Sequence, residues 1–450
     1  MTELEQIKPN VIWIFSDQHR GQALGWMGDP NCSTPNLDRM AQMGLCSTAA
    51  VSGYPLCCPY RGALLSGRYP HLTVPGHEYP LPPDQKTIAH VYKENGYHTS
   101  YIGKWHLGGF KENQGRAAFH IIPFEQRGGF DHWIGYENNN SQWDSWVHGG
   151  RDETAFHYRL PGYETDALTD LFIHQIEEYQ LQTLRGLGQP FFAVLSVQPP
   201  HNPYAAPAEW MQRHTPGRIE LRANVPNIPR VTERARRELA GYYAQIENLD
   251  WNIGRILQAL ERTGMAEDTH ILFFSDHGDM HGSQGQFLKT CPWEESVRVP
   301  FIMSGRETMY SHRTGNLPLL INHVDIAPTS LGLCGIEPPE WMQGFDYSGF
   351  RLQGNTPKEM PDSAFLQVVI PTRHPDSIDR PWRGIITTDG WKYIALEGQP
   401  WLLYNLNEDP FEQANLAFNS LYTAEREKLN QRLAEWIHET GDQFTLPEGL

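Results

Sequence analysis

The chain has 450 residues and carries 36 Lys and Arg against 53 Asp and Glu, a formal net charge of −17. That balance argues against a general nucleic-acid or anionic-membrane binder, so an anionic substrate must be drawn by a local positive patch. The length exceeds what one hydrophobic core usually serves, and it predicts a principal domain over residues 1–360 with a smaller one over 361–450.

The opening MTELEQIKPNVIWIFSDQ has no basic region, and its apolar run over 11–15 is too short for a signal peptide or a membrane span. As given, the chain reads as cytoplasmic, or as periplasmic or secreted if a leader has been removed. Cysteines at 32, 46, 57, 58, 291 and 334 show no small-scaffold spacing and no CxxC pair, so neither a disulfide framework nor a zinc knuckle is implied.

The first apolar run ends in Phe-Ser-Asp-Gln and reads as a buried parallel strand. Next comes LCCPYRGALLSGRYP, which predicts a short helix with Pro59 at its first position and Ser66-Gly67 at its end. Free N–H groups and the positive dipole end at such a helix mouth favour an anion and lower a thiol pKa. Arg61, one turn in, reaches back as a planar fork of donors. On spacing alone, Cys57 and Cys58 are equally well read as inert buried thiols.

Helical periodicity follows over 87–97 and over 233–264, the latter ending at Gly264 as a C-cap would. Strands are predicted at 99–108, 190–201 and 270–279. This alternation means an α/β fold with a large, mostly parallel sheet flanked by helices, whose site lies beyond the carboxyl ends of the strands. Just past those ends stand Asp17 and Gln18, Lys104 and His106, His201, and Asp276 and His277. Either acidic pair alone is as readily a turn cap, but two similar strand ends in one sheet favour a shared ion. Carboxylate and amide oxygens suit Ca2+ or Mg2+, and the imidazole keeps Mn2+ and Zn2+ in play.

Trp105 and Trp143 read as packing residues, and His71, His77, His120, His323 and His374 as structural or substrate-facing. Past residue 360, WRGIITTDGWKYIAL and WLLYNL predict antiparallel strands joined at Asp389-Gly390, with a final helix over 423–439 packed on that small sheet.

CCPYRGALLSGRYP resembles the C-x-P-x-R signature of the type I, formylglycine-dependent sulfatases of the alkaline phosphatase superfamily. PNVIWIFSDQ, TPNLDRMAQMG, GYHTSYIGKWHLG, PPHNPY, ILFFSDHGD, KTCPWEESVRVPFI and LYNLNEDPFEQANLA fall in family order over nearly the whole chain. The resemblance implies an alkaline phosphatase-like fold and a sulfuric ester hydrolase. It implies that a formylglycine-generating maturation enzyme converts Cys57 to formylglycine, with Cys58 in the variable slot of the motif. One divalent metal, Ca2+ first with Mn2+, Mg2+ or Zn2+ as alternatives, would be bound by Asp17, Gln18, residue 57, Asp276 and His277.

By the same resemblance, Arg61 and Lys104 hold the hydrated aldehyde and the sulfate charge, and Asp276 assists deprotonation of the attacking hydroxyl. His201 and Lys289 would serve the leaving oxygen, and His106 would take the proton that releases sulfate. Two positions depart from the commonest pattern: Gln18 stands for a second Asp, and His277 for Asn. The amide removes one negative charge from the metal shell, which weakens Ca2+ binding and strengthens the metal's pull on substrate. The implied substrate is a sulfated carbohydrate, with the polar, aromatic loop YENNNSQWDSWVHGGRDE (136–153) lining an open sugar site. The alternatives are a broad arylsulfatase, or a phosphonate monoester or phosphodiester hydrolase, since the Asp-His ending occurs in such relatives too.

Overall fold

The first apolar run forms the middle of strand β1 (Asn10–Asp17) in the computed structural model, which describes residues 8–306, 312–352, 359–374, 376 and 378–447. Residues 1–7, read above for a leader, lie outside the described residues. The large sheet adds β2 (Leu45–Ser47), β3 (His98–Lys104), β4 (His132–Tyr136), β5 (Trp146–Gly149) and β6 (Phe156–Arg159). It is completed by β7 (Phe191–Pro200), β8 (Thr269–Ser275), β9 (Phe301–Gly305) and β10 (Gly315–Leu317), in the order β10-β2-β9-β8-β1-β7-β3-β4-β5-β6. From β8 to β4 every pairing is parallel. Antiparallel pairings of β9, β5 and β6 flank that centre.

The central strands are apolar throughout because both faces of the sheet are covered. Successive side chains alternate between them: Trp13, Phe15 and Phe274 enter one core, Ile12, Ile14 and Phe273 the other. Helices Glu164–Leu184 and Pro229–Thr263 cover the second face through Phe172, Ile176, Leu249 and Ile253. Helices Cys57–Ser66, Ile88–Glu94 and Ile326–Leu333 cover the first through Leu64, Ile88 and Leu331. The long helix ends at Gly264, whose φ of 73° is a left-handed conformation that costs a glycine little.

One local expectation is corrected. The helix after Leu56 begins at Cys57, so Pro59 is its third residue, and Gly67 with φ 65° ends it. No N–H in the first turn has a partner within the helix, so a proline there sacrifices no bond at any of those positions. Cys57 itself therefore opens the helix.

The second sheet is antiparallel, in the order β11 (Ser363–Val368), β12 (Trp382–Thr387), β13 (Trp391–Leu396) and β14 (Gln399–Asn405). Gly390, with φ 88°, turns the β12–β13 hairpin. Helix Thr423–Thr440 lies on one face, where Leu429 and Leu433 meet Ile385 and Tyr393. The other face, with Leu366, Trp382 and Ile394, packs on Val51, Tyr54 and Leu56, the segment that leads into the Cys57 helix.

A buried ion trio ties the two sheets together. Lys392 Nζ on β13 meets Glu294 Oε1 at 3.0 Å and Glu412 Oε1 at 2.7 Å. Burial opposes charge on both acids; Arg298 and Lys392 nonetheless hold Glu294 down at about 2, while Glu412, facing Glu294 as well, is pushed up to about 7. Removing the cation strands buried carboxylates. Lys392→Met should lower the unfolding free energy by about 3–5 kcal/mol in urea titration. Arg39→Ala, which breaks a half-exposed pair with Glu261, should change it by less than about 1 kcal/mol.

Candidate metal centre and active site

Because β1, β3, β7 and β8 run parallel, their carboxyl ends open on one edge of the sheet. Asp17 closes β1 and Lys104 closes β3, while His201 directly follows β7 and Asp276 directly follows β8. The Cys57 helix aims its first residue at that edge. One ligand atom from each of Asp17, Cys57, Asp276 and His277 lies within 4.8 Å of all the others, and all four residues are buried.

Asp17 is the hub. Its Oδ2 accepts from Arg61 Nη2 at 3.1 Å and pairs with Lys104 Nζ at 2.7 Å, while Oδ1 lies 3.5 Å from Cys57 Sγ. Arg61 is held flat by its other nitrogen, Nη1, which donates to the Lys104 carbonyl at 2.7 Å and to Ser196 Oγ at 2.8 Å. Cys57 Sγ also lies 3.2 Å from Lys289 Nζ and 3.3 Å from His277 Nε2. His277 Nδ1 faces the Gly278 carbonyl at 3.0 Å, so the proton belongs on Nδ1 and the Nε2 lone pair faces the cluster. Lys289 Nζ in turn donates to Gln18 Oε1 at 2.9 Å.

Electrostatics separate the two carboxylates. Burial disfavours charge on Asp17, yet the cations Lys104, Lys289 and Arg61 hold it well below the usual carboxylate range. Asp276 is pushed up to about 7, by burial and then by the charge on Asp17. Its Oδ1 accepts from the Gln18 and His277 N–H groups at 2.9 Å each, but its buried Oδ2 accepts no hydrogen bond. Two buried carboxylates, one of them with an oxygen whose nearest cation, Arg61 Nη2, stands off at 3.6 Å, beside an imidazole lone pair and an amide oxygen, make a donor set that fits a divalent cation.

His106 and His201 border this cluster. Burial and then Lys104 hold His106 well below the ordinary imidazole pKa, and burial and then Lys289 do the same to His201. His106 adopts φ 55° and keeps a buried Nδ1 without a partner; His201 Nδ1 faces the Asn202 carbonyl at 2.6 Å. The sequence-selected residues thus meet in one pocket.

The expected lowering of thiol pKa at the helix mouth does not hold for Cys58. Burial, and then the neighbouring Cys57, push its thiol well above the ordinary value. It lies 3.9 Å from His77 Nδ1, and the His77 ring packs against His106 and His374. His71 and His323 are structural, bonding Gln367 with the Thr440 carbonyl, and the Gly53 N–H. Trp105 is buried in the core, whereas Trp143 is 42% exposed and packs on Tyr163. Sequence reasoning missed Ser196, which pins Arg61, and Asp279, which bonds Gln18. The only sequence signal for Asp279 is its place in SDHGD, three residues past Asp276.

Residues 9–336 match the family model described as Sulfatase, and residues 282–439 match that of the N-sulphoglucosamine sulphohydrolase C-terminal region. The chain is 33% identical to an ulvan-active sulfatase of Formosa agariphila over 98% of this chain and 83% of that protein. It is 29% identical to an endo-4-O-sulfatase of Bacteroides thetaiotaomicron over 76% of this chain and 72% of that one. Among solved structures, the yidJ protein of Bacteroides fragilis superposes with a TM-score of 0.86 at 29% identity, covering 99% of this chain and 98% of that one.

A ligand set this buried exists only in the folded chain, so an ion bound there is linked to folding. Adding Ca2+ or Mn2+ to chelator-stripped protein should raise its melting temperature. At a hundredfold excess over Kd the gain should be about 2.7 kcal/mol. Asp276→Ala should abolish the increment, read as the difference between scans with and without metal.

Proposed function

We propose, from the premise that the chain belongs to the sulfatase family, that it releases inorganic sulfate from a sulfated carbohydrate, using a formylglycine made from Cys57 and one divalent ion. The observation that carries this reading is the meeting of Cys57 Sγ with Asp17, His277 and Lys289 at distances of 3.5, 3.3 and 3.2 Å. The names of the relatives support a carbohydrate ester: one acts on ulvan, another is an endo-4-O-sulfatase. The segment 136–153, which includes strand β5 and is in large part buried, is tied to the site through Gln142 Nε2 to the His201 carbonyl and to β7 through Gln198 Nε2 to Asn140 Oδ1, and it presents the half-exposed Trp143. No helix among the described residues is long and apolar enough to cross a membrane.

Asp17, Gln18, Asp276 and His277 would hold the metal, Ca2+ first on the count of oxygen donors, with the imidazole admitting Mn2+. A metal there supplies Lewis-acid polarisation of a sulfuryl oxygen, and the hydrated aldehyde supplies a nucleophilic oxygen. The chain's own residues do the rest. Arg61 and Lys104 meet at Asp17 beside residue 57, and Lys289 contacts residue 57 itself; these buried cations would bind the sulfuryl oxygens and stabilise charge developing on them. Asp276, whose carboxyl is pushed up by burial and then by Asp17, would assist deprotonation of the residue-57 hydroxyl.

In the pocket without substrate, His201 is neutral; an arriving anionic ester favours its charged form, so Nε2 gains the proton it delivers to the leaving oxygen. His106 stays neutral beside Lys104 and is thereby fit to accept the proton whose removal lets sulfate depart.

Sulfate release from defined sulfated oligosaccharides tests the function, after mass analysis of the residue-57 peptide has established conversion of the thiol. Phosphodiester turnover above that of every sulfate ester, measured at matched concentration, would overturn the reading. Proton delivery matters most for a poor leaving group. His201→Ala should therefore lower kcat/KM about 10²–10⁴-fold on a sugar sulfate and far less on nitrophenyl sulfate.

A further inference from the structure

Gln18 is buried beside Cys57 and Lys289, and its carboxamide has two chemically different ends. Only the oxygen can ligate a hard cation; the NH2 end can only donate. In this structure Nε2 lies 2.6 Å from Asp279 Oδ2 and 3.3 Å from the Tyr204 hydroxyl. The same Asp279 oxygen accepts the Tyr204 O–H at 2.6 Å, and its Oδ1 accepts the His281 N–H at 3.1 Å. Turning the amide over would set its carbonyl oxygen against the Asp279 carboxylate, acceptor against acceptor. Oε1 is thereby left facing Lys289 Nζ and the cluster around Cys57.

The backbone of Gln18 is fixed as well. It adopts φ 71°, in the left-handed region unfavourable for a side-chain-bearing residue. Its N–H bonds Asp276 Oδ1 at 2.9 Å, and its carbonyl accepts the Tyr242 hydroxyl at 2.8 Å. The loop after β8 therefore carries the candidate ligands Asp276 and His277 and also, three residues past Asp276, the carboxylate that braces a ligand from β1.

We propose that Asp279, seconded by Tyr204, is a positioning residue that locks the Gln18 carboxamide with its oxygen toward the metal. It also returns, one hydrogen bond further out, the negative charge that an amide lacks. The proposal rests on the reading of Gln18 as a metal ligand. A carboxylate behind the NH2 group draws electron density toward the carbonyl oxygen, as partners behind metal ligands commonly do, and loss of such a partner costs about 10–100-fold in metal affinity.

The test is titration calorimetry of Ca2+ and Mn2+ into chelator-stripped full-length protein, with a circular dichroism check on each variant. Asp279→Asn frees the amide to flip, and affinity should fall about 10–100-fold. Gln18→Glu adds a ligand charge but sets it against the Asp279 carboxylate at hydrogen-bond distance, and that repulsion should outweigh the gain and lower affinity too. The double variant Gln18→Glu/Asp279→Asn restores a donor opposite an acceptor and should bind within a few-fold of the parent. Tyr204→Phe removes one donor from Asp279, should lose a few-fold with the fold intact, and keeps the test alive if Asp279→Asn fails to fold.

Unchanged affinity in Asp279→Asn, or a double variant worse than both single ones, would overturn the proposal. So would unchanged affinity in Tyr204→Phe where only that variant folds. If instead Gln18→Ala binds metal like the parent while Asp276→Ala does not, the ligand assignment of Gln18 fails and the metal centre stands.

Discussion

Asp17 faces Arg61 and Lys104, all three buried, and the site is built outward from that contact. Taking a cation out of water costs several kcal/mol unless an opposite charge meets it at close range. Arg61, Lys104 and Lys289 are all buried within reach of residue 57, so the pocket carries more positive charge than its carboxylates cancel. That excess suits an anionic ester. A chain of net charge −17 can maintain it because surface charges are screened over about 8–10 Å, whereas the buried cations act at contact distance.

The second sheet enters the site through Lys289. The residue after it, Thr290, donates its N–H to the Pro55 carbonyl and accepts the Trp382 indole N–H from β12 on its own carbonyl. Leu288 and Thr290, on either side of Lys289, both hold φ in the left-handed region, at 60° and 70°. Such strained backbone persists only where the surroundings over-determine it. Here the surroundings are the segment leading into the Cys57 helix on one side and the small sheet on the other, itself tied in by the Lys392 trio. Through Trp382 and Thr290 the C-terminal strands help to fix the lysine that contacts Cys57.

Much of this was legible because central parallel strands write themselves as unbroken apolar runs. The segments 11–18, 99–108, 190–201 and 270–279 could be read as strands without knowing their partners, and the polar residues at their ends then had to share an edge. Asp389-Gly390 and Gly264 marked a hairpin and a helix end, since each position requires positive φ or tolerates it cheaply. The helix start was misread because Pro59 satisfies the rules of a first turn at any of several positions. The thiol of Cys58 was misjudged because the helix dipole was visible in sequence and its complete burial was not. Strands β5 and β6 escaped notice: they are short, and the side chains of β6 are largely exposed, so no apolar alternation announces them.

The brace behind Gln18 illustrates what one sequence hides. Gln18 and Asp279 lie 261 residues apart and meet only because β1 and β8 are neighbours in register, with Ser16 opposite Ser275. An aspartate at position 18 would need no such partner, since its two oxygens are equivalent. It would add a third buried carboxylate beside Asp17 and Asp276, of which Asp276 is already pushed up by burial and then by Asp17. An amide avoids that repulsion but must be oriented, and orientation requires an acceptor on the far side of the metal pocket. Placing the negative charge outward on Asp279 leaves the inner residues less anionic, so a cation held there would keep more of its pull for the sulfuryl oxygens. The substitution at position 18 and the carboxylate at 279 are therefore two halves of one electrostatic arrangement.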